Sequence, residues 1–461
     1  MNESIDITVK QMKDGTWLDR VSYEWQNGNI ALPKIIPEPT GQADLREVIE
    51  TILDFNGSYK KGDVACIHAS PVSADMASET AIVLQERGIP TEIIVGLREA
   101  NEEFYKLLTD TFGDVSKVKI DALEGLVTSY KAALHTIEQE KNAHWIIPIG
   151  NTPKILKKYS YSSTLFEDVI HKGMSGLGKS REAGIVKSHD LWVNPTQLDV
   201  DCLNRNLPQK HHWTLQEWRK FVFNAMSVSG EEFERIAMGM EEVQLTIEAS
   251  LNGGTLVYSR EDGTHLEYKV EGRPILLGKG MVGNNSIGGT RSFFKRLTNQ
   301  PNTEVFVAPI EDFGKGILIY TIPEQTAIGM IDAPYFISIY EGSAYNVSAP
   351  NEESERILKH YTGLKPYDDK KMTGDELKAF KLRKKLAEVA ISGFNPVFLP
   401  YIKSGRIKPV LGFPMIEEKW GDHGAFGSND FFEGKTPSSI GGYSVGHTDF
   451  IEGINRKIEM K

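Results

Sequence analysis

The tripeptide His447-Thr448-Asp449 places an imidazole and a carboxylate two residues apart. In an extended segment both side chains point to one face, where a ring nitrogen and a carboxylate oxygen can hold one divalent ion. Taken alone, such a pair is most often a surface feature. His423 stands upstream in GDHGAFG (421–427), a glycine-rich segment that can bend it towards the same place. Two carboxylates interrupt apolar runs: Glu304 heads EVFVAPI (304–310), and Glu388 divides LAEVAI (386–391). Burying an ionised carboxylate without a partner is costly, so a cation or a hydrogen-bond network is implied. The bland readings are an exposed strand start for Glu304 and, for Glu388, the polar face of a helix continuing from KLRKK (381–385). Together, two Glu, two His and one Asp supply enough donors for a carboxylate-bridged pair of divalent ions about 3.5 to 4 Å apart.

Several elements must position these groups. In the first half, apolar residues recur at helical period over 43–55 and 75–87, the latter stopping at Gly88. Helices are also expected near 101–112 and 123–140. Short apolar runs at 63–69, 91–97, 118–120 and 144–150 read as strands between them. This alternation implies an α/β N-terminal domain with a mostly parallel sheet, spanning 1–205. The second half opens with capping boxes at Thr214/Glu217 and Ser229/Glu232, and a third follows at Thr373/Glu376. Strands are expected at 255–259, 265–270, 304–310, 316–322 and 335–342, whereas 346–375 reads as polar and charged. Residues 206–461 are thus expected to form an α+β metal-binding, catalytic domain.

Composition narrows the partners. With 461 residues, 40% of them hydrophobic, the chain can bury a sizeable core and is long enough for two or three domains. A net charge of −11 argues against nucleic acid and anionic membranes as partners. No apolar run is long enough to span a bilayer and the N-terminus carries early charges, so we expect a cytoplasmic protein with no membrane partner. Cys66 and Cys202 make neither a disulfide framework nor a thiolate cluster, which leaves His, Asp and Glu to bind any metal. Residues 173–180 (GMSGLGKS) match a phosphate-loop pattern through Gly173, Gly178, Lys179 and Ser180. No apolar strand precedes them and Gly184 follows closely, so we read a glycine-rich loop. The basic run at 381–385 reads as a solvated helix face, and His211 and His212 as linker residues.

In order along the chain, NQPNTEVFVAP (299–309), AEVAI (387–391), DHGAFG (422–427) and GHTDFIEG (446–453) resemble the metal-ligand blocks of the thermophilic metalloaminopeptidases, the aminopeptidase T and aminopeptidase S group. The resemblance implies a two-domain fold, a homodimer and two divalent metal ions (zinc, cobalt, magnesium or manganese). It implies Glu304, Glu388, His423, His447 and Asp449 as the metal ligands, with Glu304 also catalytic. The implied reaction is hydrolysis of the N-terminal peptide bond of a peptide or amino-acid-like substrate. The sequence also departs from the family. Seven residues after the equivalent histidine the family has a tyrosine, whereas Asp430 stands here, followed by Phe431 and Phe432. Tyr443, close to His447 in GGYSVGHTD, is the candidate substitute.

Two other readings remain open. Dihydroxypyridine dioxygenases resemble these peptidases but hold a single iron(II), and His423, His447 and Asp449 can form a two-His-one-carboxylate triad. A non-catalytic relative that binds peptides in a biosynthetic pathway is the third.

Overall fold

Period and burial agree along most of the chain. The computed structural model describes residues 4–461 apart from 30, 56–58, 96–110, 112–142, 149–186, 192–194, 196, 206, 228–229, 279–285, 288–296, 301–303, 322, 327, 369–370, 373, 393–396, 399, 402–403, 407–420, 442 and 452–455. Ala43–Phe55 forms the expected helix and Val64–Ala69 the buried strand. Helix Ala74–Glu86 ends ahead of Gly88, whose φ of +76° is the left-handed conformation that glycine adopts without strain. The segments expected as helices near 101–112 and 123–140 fall almost entirely outside the described residues. So do 118–120 and the glycine-rich 173–180.

Seven strands form one sheet in the spatial order Ile5–Thr8, Pro33–Ile36, Thr91–Val95, Val64–Ala69, Ala143–Pro148, Lys187–Leu191, Leu297–Gln300. All neighbours run parallel except Pro33–Ile36 against Thr91–Val95. Its core joins Trp17, Ile67, Leu84 and Ile93 to Trp218 and Phe221 of helix Leu215–Met226 and to Phe398. That helix begins at the expected capping box, Thr214 and Glu217 each bonding the other's backbone N–H. Ser229 and Thr373 lie outside the described residues, although helices Gly230–Ala249 and Gly374–Leu382 follow them.

Among the described residues, two six-stranded antiparallel sheets and two two-stranded ones make up the other sheets. One runs in the order Ser343–Ser348, Tyr335–Tyr340, Gly314–Tyr320, His265–Tyr268, Leu256–Arg260, Arg456–Met460. The other runs Ser286–Ile287, Ile275–Gly278, Glu304–Val307, Leu386–Ser392, His423–Gly427, His447–Ile451. They share one core cluster, in which Tyr320 stacks on Tyr335 at 4.8 Å and meets Phe450 at 5.7 Å. The molecule is thus a mixed α/β fold.

Four local readings are corrected. Glu388 is not on a helix: Gly374–Leu382 ends, Arg383 and Lys384 turn, and Glu388 sits within a fully buried strand. Glu304 does head a strand, but neighbours on both sides leave it only 5% exposed. His423 reaches the site without a bend: it begins a strand paired on both sides, with Gly424 and Gly427 inside the ladder. Residues 346–375 contain helix Glu352–Tyr361, capped by the Asn351 side chain accepting from Ser354 N–H.

Candidate metal centre

Register alone brings the five predicted ligands to one face. Glu304 lies opposite Ser392, His423 opposite Ala390, Glu388 and Asp449 on either side of Ala425, and His447 opposite Gly427. Cross-strand partners share a face, and so do alternate residues along a strand. Glu304, Glu388, His423, His447 and Asp449 therefore all project the same way. The alternating set, Val305, Val307, Val389, Ile391, Phe426 and Phe450, enters the apolar core behind. Ala390 and Ala425, both buried, lie among the ligands as the floor. One-carbon side chains there leave room for the longer groups to converge.

Glu388 stands at the middle. Its Oε2 is 3.0 Å from His447 Nε2, which is 3.4 Å from Asp449 Oδ1. The ligand atoms of Glu388, His447 and Asp449 lie within 4.8 Å of one another, a group that can hold a metal ion. The other oxygen, Oε1, faces His423 Nε2 at 3.8 Å, and the same nitrogen lies 3.9 Å from Glu304 Oε2. These last two separations exceed hydrogen-bond length.

The charges favour a cation. Burial opposes ionisation of Glu388, yet His423 and His447 together outweigh it and hold its carboxyl below the usual carboxylate range. Burial likewise opposes protonation of His423, but Glu388, Asp449 and Glu304 push it up to about 10. His447 is raised well above its ordinary value against the same penalty, by Asp449 and Glu388. Even with both rings protonated, three carboxylates exceed two imidazolium groups. A divalent cation offsets that excess, and an imidazole and carboxylate donor set suits zinc, cobalt or manganese.

His447 is aimed from behind. Its Nδ1–H donates to the Ser428 carbonyl at 2.7 Å, leaving Nε2 as the inward atom. The loop carrying that carbonyl is anchored in turn. Ser428 N–H donates to Gly446 O, and the buried Asn429 side chain donates to Glu311 at 3.0 Å and accepts from Thr436 N–H at 2.8 Å. Glu311 is buried against Arg273, which also donates to the Glu433 carbonyl. Nothing in the spacing of Arg273, Glu311 and Asn429 announces this network.

One flank is apolar. Phe306 follows Glu304 on the same face and lies opposite Leu276. Phe432 meets Phe306 at 5.5 Å and the His447 ring at 5.6 Å, and Ala308 completes the cluster. Phe432 thus packs beside the centre in the segment where the resembled family places its tyrosine. Tyr443 lies on the short hairpin Ser439–Ile440 and Tyr443–Ser444, and is 48% exposed.

No protein-family model matches this sequence, and comparison with curated proteins finds no match. Among solved structures, the fold is similar to that of wild-type AmpT from Thermus thermophilus, with a TM-score of 0.60 and 17% identity, over 90% of this chain and 94% of the other. A 2,5-dihydroxypyridine dioxygenase from Pseudomonas putida KT2440 aligns over 90% and 93% of the two chains, at 12% identity and a TM-score of 0.47. At such identity the AmpT likeness speaks for the fold alone. Among the described residues, no helix is long and apolar enough to cross a membrane.

Proposed function

We propose that this chain is a metal-dependent aminopeptidase that hydrolyses the N-terminal bond of peptides, with two divalent ions held by Glu304, Glu388, His423, His447 and Asp449. One observation carries the reading: Glu388 turns one oxygen towards His423 and the other towards His447, as a carboxylate shared between two ions does. Glu304 and His423 would complete one ligand set, and His447 and Asp449 the other. When bound, such ions supply Lewis-acid polarisation and activate water near neutral pH.

The chain's own groups do the rest. Glu388 ties the two sets together, and Glu304, beyond binding, is the proposed catalytic carboxylate, buried 3.9 Å from His423. The Ser428 carbonyl keeps the His447 ring oriented. Phe306 and Phe432 wall one flank against water. Tyr443, exposed beside the strand that carries His447, is the proposed proton donor on the solvent side. Within residues 206–461 the two antiparallel sheets form the catalytic unit in this reading, whereas Leu215–Met226 and Leu297–Gln300 pack with the N-terminal sheet, and the protein acts as a homodimer.

Short peptides with free or acetylated N-termini should be incubated with the protein loaded with zinc, cobalt, manganese or magnesium, and products read by mass spectrometry. Release of the first residue from free peptides only, abolished by Glu388→Ala, is the expected result. No release with any of these metals would overturn the reading. Oxygen uptake with iron(II) and an aromatic diol, needing His423, His447 and Asp449, would put an oxygenase in its place, and peptide binding without turnover a non-catalytic relative.

A further inference from the structure

Apart from the five candidate ligands, a histidine and an arginine meet donor to donor. His360 lies in the last turn of helix Glu352–Tyr361, and Arg383 in the turn after helix Gly374–Leu382. Both are half-buried against Phe380, whose ring centre is 5.6 Å from the His360 ring and 5.6 Å from the guanidinium carbon. His360 Nδ1 accepts the Tyr367 backbone N–H at 3.0 Å. In a neutral ring the proton must then sit on Nε2. The ring is neutral at physiological pH, because burial, followed by the charge of Arg383, outweighs the opposing charge of Asp368 and holds it down to about 4.

Arg383 Nη1 approaches that same Nε2 at 3.3 Å, and a guanidinium has only donors to offer. Two N–H groups thus face one another where a single oxygen can accept from both. Among the described residues Arg383 forms no ion pair, and its Nε is buried without a hydrogen-bond partner. Gly363, at φ +64°, brings the chain hard against this turn: a Cβ there would lie 2.7 Å from Phe380 O. The donors are therefore held by backbone packing.

We propose that His360 and Arg383 bind one carboxylate of a small molecule, its oxygen accepting from Nε2–H and Nη1–H together. A partly buried cation with unfilled donors makes charge-assisted bonds, and guanidinium favours the planar carboxylate. The site adjoins the metal strand, since a Cβ on Gly446, the residue before His447, would lie 3.9 Å from Arg383 Nε. The carboxylate has two sources, the C-terminus of a peptide substrate or a separate small acid.

Acetate titrated calorimetrically into the metal-loaded full chain tests the site, with Arg383→Gln and His360→Phe compared. Saturable binding to the wild type, weakened at least tenfold in each variant that keeps its far-ultraviolet circular dichroism, is expected. Absence of saturable binding, or equal binding by the wild type and a folded variant, would overturn the proposal; equal binding would place acetate on the metal centre instead. His360→Phe keeps an aromatic ring against Phe380 while removing Nε2–H and the Tyr367 contact, so it reads the site even if Arg383→Gln does not fold. The source is assigned with peptides ending in a carboxylate or an amide, an arm that rests on the proposed hydrolysis. A preference in kcat/KM for the free carboxylate that vanishes in Arg383→Gln assigns the substrate; acetate binding without such a preference assigns a separate acid.

Discussion

Adding zinc to the metal-free protein at pH 8 should release about two protons per chain from its histidines, besides any that metal-bound water gives up. His423 is pushed up to about 10 and His447 well above its usual value, so both rings carry a proton when no cation neutralises the carboxylates. A group titrating near 10 is about 99% protonated at pH 8, whereas an ordinary histidine at about 6.5 is about 3% protonated. Metal coordination requires the neutral ring, so each proton must leave. Glu388 is held below the usual carboxylate range and contributes none. For His423 alone, displacement over two pH units costs apparent affinity about 3 kcal/mol at pH 8, which disappears as pH approaches 10. Calorimetric titration in buffers of different ionisation enthalpy counts the protons directly. Release of one proton or fewer would refute the reasoning, because it would mean that the carboxylates do not hold the imidazoles charged.

Three more outcomes follow from the same geometry. His423 titrates higher folded than unfolded, so its contribution is fully present below about 6.5 and lost as pH rises through about 10. The thermal midpoint of the metal-free protein should therefore fall between pH 7 and 10, and a midpoint that held or rose would contradict this. Ala425→Val places two methyl groups between Glu388 and Asp449, so elemental analysis should show lost metal at an overpacking cost of about 1–3 kcal/mol; full occupancy would show that the floor is not confining. Asn429→Ala removes buried hydrogen bonds to Glu311 and Thr436, which should cost about 1–3 kcal/mol of stability in denaturant titration. Through the loosened Ser428 carbonyl it should weaken metal binding by about 10-fold to 100-fold, and unchanged affinity would remove that loop from the orientation of His447.

Much of the fold was legible where a single signal acted. Helix Ala43–Phe55 and the Thr214/Glu217 box are local features, and local chemistry decided them. Of the five candidate ligands, Glu304 and Glu388 were legible as carboxylates in apolar runs, whose burial carries a cost that needs an explanation, and the full set only through the family resemblance. Their convergence was not, since it depends on register among four strands, which no single segment encodes. The His423 segment shows why: Gly424 and Gly427 argue for a bend, yet pairing on both sides holds the segment extended. Helix Glu352–Tyr361 was missed because Ile357 and Leu358 give it only a narrow apolar stripe among charges. The Arg273, Glu311 and Asn429 network joins residues far apart in sequence, and only packing brings them together.

The most direct test is metal content per chain, by elemental mass spectrometry after saturation with zinc or cobalt and removal of excess. Two ions per wild-type chain are predicted, with one lost in Glu304→Ala, one in Asp449→Ala and both in Glu388→Ala, because Glu388 lies within 4 Å of both histidines. A single ion that survives Glu304→Ala unchanged would contradict a shared carboxylate and the dinuclear centre built on it.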